Sequence, residues 1–474
     1  MNKKGICVFL SQSSEMTYIP VNQLHLRAKS LVTKFEQGRG TSYINEAIVL
    51  DREALELCPP GHPQRAVSLN QLALDLGDRY SQLGARRDLE EAIVLDREAL
   101  ELRPQGHPDR SVSLNNLASR HSIRYAQLGV MEDLDEAIVL VREALDLCPQ
   151  GHPHRSISLN NLAARLSTRY KQLGVMQDLD ESIVLNREAL DLCPQGHPLR
   201  SGPLIGLANH LSNRYNQLGA VQDLDEAIVL DREALDLCPQ GHPHRSISLS
   251  NLAARLSTRY KKFGVMQDLD GAIVLAREAL DLRPKRHPLR SSSLNNLASH
   301  LCNRYNQLGA MEDLDESIVL DREALGLCPQ GHPDRSTSLN NLASRLSTRY
   351  TQLGAMHDLD EAIVLDREAL DLRPQGHYLR SSSLNNLSIR LSTRYKQLGA
   401  MRDLDGAIVF ARDALDLHPR GHHNRSRSLN NLAVYLSTRY KQLGVMQDLD
   451  EAIVFNREGL DLFARKGTLF DLAL

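Results

Sequence analysis

The sequence predicts an all-α chain, an α-solenoid of about ten antiparallel helix pairs, on three observations. A tyrosine recurs every 45 residues without insertion or deletion: Tyr80, Tyr125, Tyr170, Tyr215, Tyr260, Tyr305, Tyr350, Tyr395 and Tyr440. Each interval holds two stretches with apolar residues at helical spacing, separated by a glycine and closed by a proline. Strand signals are absent. A fixed period between 20 and 50 residues marks an array whose units touch only their neighbours. The 474 residues therefore make one elongated domain, where length alone would suggest about three.

In chain order, residues 1–20 read as a poorly ordered extension, 21–463 as the solenoid and 464–474 as a tail or partial cap. The extension has two lysines and an apolar run too short for a secretory signal. No stretch approaches the ~20 apolar residues of a membrane span, so a cytoplasmic location is expected. The first pair is degenerate: residues 31–48 keep register, but the helix before Leu31 lacks the LNNLA wording of later units. It suits the polar cap that a solenoid needs at its end.

The unit at 148–192 represents the rest. Its first helix is predicted to open near Pro153, the favoured first helical position, and to end at Gly174 in a left-handed cap. Leu159, Leu162, Ala163, Leu166, Tyr170 and Leu173 fall on one face. The second helix is predicted to start at Asp178, with Asp178 and Glu181 as a capping box, and to end at Cys193-Pro194. A longer period is superposed: residues 146–180 match 236–270, and 197–220 resemble 287–310, as if a 90-residue block had been copied. One unit has decayed. Ser201-Gly202-Pro203-Leu204-Ile205-Gly206 replaces the usual SISLNN, which predicts a late-starting or kinked first helix. At the far end FARKGTLFDLAL replaces the usual link, so the tail either folds back as a cap or leads to a further domain.

Composition narrows the function. Aromatics are 4% and Trp is absent, so the core is Leu, Ile, Val and Ala. A net charge of −3 argues against attraction of the whole protein to nucleic acid or an anionic membrane. Cys58, Cys148, Cys193, Cys238 and Cys328 share one slot of different units, and Arg103, Arg283, Arg373 and His418 fill it elsewhere. Packed helices lie about 8–10 Å apart, beyond the roughly 7 Å that a disulfide spans. Free thiols in a reducing compartment follow.

The second-helix wording LDEAIVLDREALDLCP resembles the tetratricopeptide-repeat consensus, with its small Ala, its Ala-Leu pair and its closing Pro. LNNLAARL resembles the first-helix half, with Leu159, Ala163 and Leu166 in the large, small and large slots. LNNLA is similar to kinesin light chain repeats, and the lengthened unit resembles arrays found in fungal proteins ahead of caspase-like CHAT domains. The resemblance covers roughly residues 31–463 and implies a right-handed superhelix that binds proteins. It departs from the family in its 45-residue unit and in Asp51, Asp96, Val141, Asn186 and Asp231 where an aromatic is expected.

Columns that vary between copies, those of 154, 157, 164, 168 and 171, fall on one stripe opposite the Leu/Tyr face. Beside them run paired asparagines: Asn115 and Asn116, Asn160 and Asn161, Asn295 and Asn296, Asn340 and Asn341, Asn385 and Asn386, Asn430 and Asn431. The resemblance places this side in the concave groove. An amide that both donates and accepts suits a clamp on the main chain of an extended peptide, so these twelve form the expected peptide-binding groove. Arg155, Arg165, Arg169 and Lys171 make the first helix basic; pairing of Arg155 and Arg169 with acids of second helices is the simpler reading.

Catalysis is not indicated. The recurring C-x-x-x-H, as in Cys148 and His152, offers two ligands where a structural zinc takes four. No phosphate-binding loop occurs and no third group orients a Cys/His pair. The expected function is a protein-interaction scaffold without cofactor or metal, gripping a peptide or partner protein on its concave face. The alternative is the sensing or autoinhibitory array of a larger CHAT-peptidase or signalling protein. RNA binding is the weaker reading, since aromatics for base stacking are few.

Overall fold

The computed structural model describes residues 20–471 apart from 243, 286, 378 and 419–423, with side chains described as far as residue 462. The expected extension at 1–20 therefore lies almost wholly outside the described residues. Among the described residues ten first helices alternate with ten second helices. The first helices are α1 (Val21–Glu36), α3 (Arg65–Leu83), α5 (Arg110–Leu128), α7 (Arg155–Leu173), α9 (Ser201–Leu218), α11 (Arg245–Phe263), α13 (Arg290–Leu308), α15 (Arg335–Leu353), α17 (Arg380–Leu398) and α19 (Arg425–Leu443). The second helices are α2 (Thr41–Glu56), α4 (Arg86–Glu101), α6 (Met131–Asp146), α8 (Met176–Asp191), α10 (Val221–Asp236), α12 (Met266–Asp281), α14 (Met311–Gly326), α16 (Met356–Asp371), α18 (Met401–Asp416) and α20 (Met446–Asp471). No strand occurs among the described residues, and no helix there is long and apolar enough to cross a membrane.

Helix ends partly differ from the sequence expectation. Gly174 does cap α7 in the left-handed region, at φ 73°. Pro153, however, lies in a turn two residues ahead of α7, and the His152 ring nitrogen takes the work at this end by accepting the His154 backbone N–H at 3.2 Å. The capping box does not form. Helix α8 opens at Met176, its N-cap is Val175 with no side-chain bond, and the Asp178 carboxylate is turned to Arg169 at 2.7 and 2.8 Å. A charge-assisted pair across the turn replaces a cap. Helix α9 starts one residue later than its counterparts, as the Gly/Pro wording predicts.

The core is built from the predicted apolar face: Leu159, Leu162, Ala163 and Leu166 are buried. Tyr170 closes the end of that face and its hydroxyl reaches Gln217 of the next unit; Tyr80 reaches Gln127 at 3.2 Å and Tyr260 reaches Gln307 at 3.1 Å. Tyrosine thus holds one repeat to the next, which explains why its spacing is kept. Consecutive first helices pack on one another, as α7 does on α9. Consecutive second helices are instead bridged by long side chains, Arg142 to Glu181 and Arg187 to Glu226. The ribbon therefore curves with its first helices inside.

Candidate binding face

A helix packed on three sides keeps one narrow stripe free, and at 100° per residue the positions 157, 161, 164, 168 and 171 share it. In α7, Ile157, Ala164 and Lys171 are exposed and Asn161 and Thr168 half-buried. These positions line the inner wall. Of the variable columns, 157, 164, 168 and 171 lie on this stripe beside Asn161, whereas His154 is the N-cap residue ahead of α7.

The paired asparagines divide. The first of each pair turns under the following repeat. Asn115, Asn295 and Asn385 donate to Ser158, Ser338 and Ser428, each at 3.0 Å. Asn340 accepts from Arg373 and Ser383, both at 3.0 Å. These four are buried and each bonds to a neighbouring repeat, although the Asn295 oxygen and the Asn340 nitrogen have no partner among the described residues. Asn160 is half-buried because Pro203 stands where its serine partner would be, and Asn430 is exposed. The second of each pair stays on the wall: Asn296 is exposed, and Asn116, Asn161, Asn341, Asn386 and Asn431 are half-buried. Asn161 bonds to Asn115 at 2.9 Å, whereas the Asn431 amide nitrogen is buried with no partner among the described residues.

Behind the wall lies a buried polar ladder that sequence reading missed. Asp96, Asp231, Asp321 and Asp366, in the slot where the family has an aromatic, meet Arg120, Arg255, Arg345 and Arg390 of the next first helix at 3.2, 3.2, 3.4 and 3.0 Å. Where the acid is lost the residue in the partner column changes too: Asn186 is matched by His210, Ala276 by His300, and Ala411 by Tyr435. Val141 breaks the rule, and so does Asp51, which meets Asp75 where an arginine would stand. Arg165 has no acid opposite, and burial pushes it down to about 10. Burial outweighs the guanidinium for the acids as well, raising Asp96 and Asp231 to about 6 and Asp321 and Asp366 to about 7. The signal was available, since the two columns change together within this one chain.

Charge on the wall is one-sided. The eight first helices from α5 to α19 contain no Asp or Glu. Arg155 and Arg169 are neutralised by Glu188 and Asp178, both at 2.7 Å, so the basic first helix is partly an ion-paired one. Lys171, Lys261, Lys396 and Lys441 are exposed on the stripe, and no ion pair holds them among the described residues. As last-turn cations they also suit their helix termini. Protein surrounding the concave face lowers Lys171, with the charge of Arg255 adding to it, and Lys261 is lowered by the same burial and by Arg345. The 90-residue copy thus yields two like clusters, Lys171 with His210 and Arg255, and Lys261 with His300 and Arg345. Helix α3 differs: behind the wall burial, with Asp51 opposite, lifts Asp75 to about 8, and on the wall burial lifts Asp78 to about 6.

The C-x-x-x-H residues serve the scaffold. Cys58 accepts from Ser68, the His rings cap first helices, and no group of three candidate metal ligands occurs among the described residues.

The tetratricopeptide repeat family model matches residues 65–109 and 290–334. No curated protein matches the chain. Among solved structures, the human IFIT1 dimer with m7Gppp-AAAA is similar at 15% identity and a TM-score of 0.57, over 94% of this chain and 91% of that one. The human IFIT1 dimer with PPP-AAAA gives 15% and 0.51 over 95% and 92%. A Podosopora anserina putative kinesin light chain with nearly identical repeats gives 17% and 0.33, over 45% of this chain and 97% of that one. At such identities the likeness is one of fold.

Proposed function

Because the chain is a tetratricopeptide-repeat array, we propose that it works as a protein-interaction scaffold gripping an extended, acidic segment of a partner along its inner wall. One observation carries this: eight successive wall helices lack any acid, yet present Lys171, Lys261, Lys396 and Lys441, without an ion-pair partner among the described residues, beside asparagine amides. Concave walls of this sort attract an oppositely charged chain at long range. Asn116, Asn296, Asn341 and Asn386 then supply the donor and acceptor that a main chain needs. Asn115, Asn295, Asn340 and Asn385 hold the repeats that carry them.

The test is a titration with a fluorescent peptide of glutamate, serine and glycine, and in parallel with polyadenylate of equal charge. The triple variant Lys171→Glu, Lys261→Glu, Lys396→Glu should lose at least about tenfold in peptide affinity, with helicity unchanged and the wild-type affinity weakening with salt. The human IFIT1 structures carry m7Gppp-AAAA and PPP-AAAA, so polyadenylate is the competing ligand. If the array takes polyadenylate and ignores the peptide, the protein-binding reading fails.

A further inference from the structure

The glycines of identical turns have different surroundings, and the difference follows chain position. A Cβ added to Gly38 would lie 2.9 Å from Pro284 Cγ and 3.0 Å from His287 N. One added to Gly84 would run into the Gly331 carbonyl, and one on Gly129 into Gly376 and His377. In the same turn of later repeats, Gly264, Gly309, Gly354, Gly399 and Gly444 have nothing within 4 Å. The same holds for Gly61, Gly106, Gly151, Gly196 and Gly241 in the links of earlier repeats. So the contact is made by coiling, not by the repeat: helix-pair turns of the first coil press on GHP links of the second.

The offset is constant. Gly84 to Gly331 and Gly129 to Gly376 are each 247 residues apart, so one coil takes about five and a half repeats. Successive coils then rise by only the width of the ribbon, about 28 Å for a 19-residue helix. Of the histidines in these links His332 is buried, while His287 and His377 are half-buried, as are His62, His107, His152, His197 and His242. Burial pushes His287 and His377 down to about 4, with the Ala126 backbone across the seam acting the other way on His377.

We infer that the two coils close on each other into a tube, so that the inner wall is reached end-on, by the free terminus of an unfolded acidic chain. The ligand half of this inference rests on the function proposed above; the closure does not. A glycine seam is what permits it, since backbone meets backbone with no room for a side chain. A segment anchored at both ends in folded domains, or a cyclic one, has no terminus to thread.

Two seam variants, Gly84→Asn and Gly129→Asn, combined in one chain, are compared with Gly264→Asn and Gly309→Asn, which carry the same backbone strain facing open space. Small-angle scattering should show the seam variant longer than wild type and the control unchanged; equal dimensions for all three overturn the closure whether or not any peptide binds. Association of a linear 20-residue glutamate/serine peptide is then measured against its head-to-tail cyclised form. Wild type should take up the cyclic form at least about tenfold more slowly, and the seam variant should erase that difference. Equal uptake of both forms by wild type overturns end-on threading. Seam dimensions as expected with no binding of either peptide sustain the tube and reject the acidic-ligand reading.

Discussion

Asp366 and Arg390 lie 3.0 Å apart with both side chains shut off from solvent, one at the end of a repeat and the other in the next. The contact is ionic rather than a well-aligned hydrogen bond, for neither Asp366 oxygen has a hydrogen-bond partner among the described residues. A buried pair of this kind is costly to break from one side and easy to replace from both. Asp366→Ala should destabilise by about 3–5 kcal/mol, because the Arg390 guanidinium is left buried without its counter-charge. Adding Arg390→Tyr, which recreates the Ala411 and Tyr435 combination, should recover most of that loss. Urea denaturation of the two single variants and the double variant checks this; additive losses in the double variant would reject the idea that the columns are coupled.

His300 offers the pH test. Burial, with Lys261 and Arg345 nearby, holds it down at about 4, against about 6.5 for a free imidazole. The folded state prefers the neutral ring, so its contribution is complete above pH 6.5 and drains away as pH falls toward 4. His300→Tyr opposite Ala276 should therefore gain stability over wild type as pH falls from 7.5 to 4.5, by on the order of 2 kcal/mol. Asp321 and Asp366 shift the other way, gaining stability as pH drops through 7, but they are common to both proteins and cancel in the difference. A pH-independent difference between the two melting curves would contradict this placement of His300.

The fold was legible because the repeat gives nine near-copies of one pattern. Tyr170, Leu159 and Leu162 recur on one helical face, and the structure buries them there. The helix starts were less legible, because the local rules compete. Asp178 fits a capping box by spacing, but Arg169 nine residues earlier offers a full charge across the turn and takes the carboxylate. The asparagines show the deeper limit. Asn340 and Asn341 are neighbours with the same chemistry, and only the coiling of one repeat over the next decides that Asn340 is covered while Asn341 stays on the wall. No periodicity within a single unit encodes that.

That division makes opposite predictions for adjacent residues. Asn340→Ala removes the acceptor for Arg373 and Ser383 and should lower stability by about 1–3 kcal/mol, since buried donors lose their partner. Asn341→Ala should leave the melting curve within about 0.5 kcal/mol of wild type and weaken capture of the acidic peptide. The pair is read by chemical denaturation alongside the peptide titration. Should Asn341→Ala alone unfold the array, the wall assignment of that column is wrong.

Leu162 probes the core. It is 1% exposed, so truncation to Ala should cost about 2–5 kcal/mol. Because each repeat is stabilised through its neighbours, the loss should spread to α5 and α9 rather than stay in α7. Hydrogen exchange would show faster exchange in all three helices, whereas change confined to α7 would mean that the repeats fold independently.

Two glycines of α9 look alike in sequence and differ in space. Gly202 begins the helix with nothing within 4 Å of a built Cβ, so Gly202→Ala removes backbone freedom from the unfolded chain at no steric cost. A gain of about 0.4–1 kcal/mol is expected. Gly206 faces the Asn186 amide, with Asn160 Oδ1 at 2.8 Å from the same built Cβ. Asn186 is fully buried and has no room to retreat, so Gly206→Ala should destabilise by about 1–3 kcal/mol through overpacking. Pairing Gly206→Ala with Asn186→Ala, the residue that stands at the equivalent positions 276 and 411, should relieve the clash. Gly202 is then a lapse of the copied unit, and Gly206 a fitted partner of Asn186. Thermal melts of the three variants decide it: if Gly206→Ala alone matches wild type, the close approach of α8 and α9 at this point is refuted.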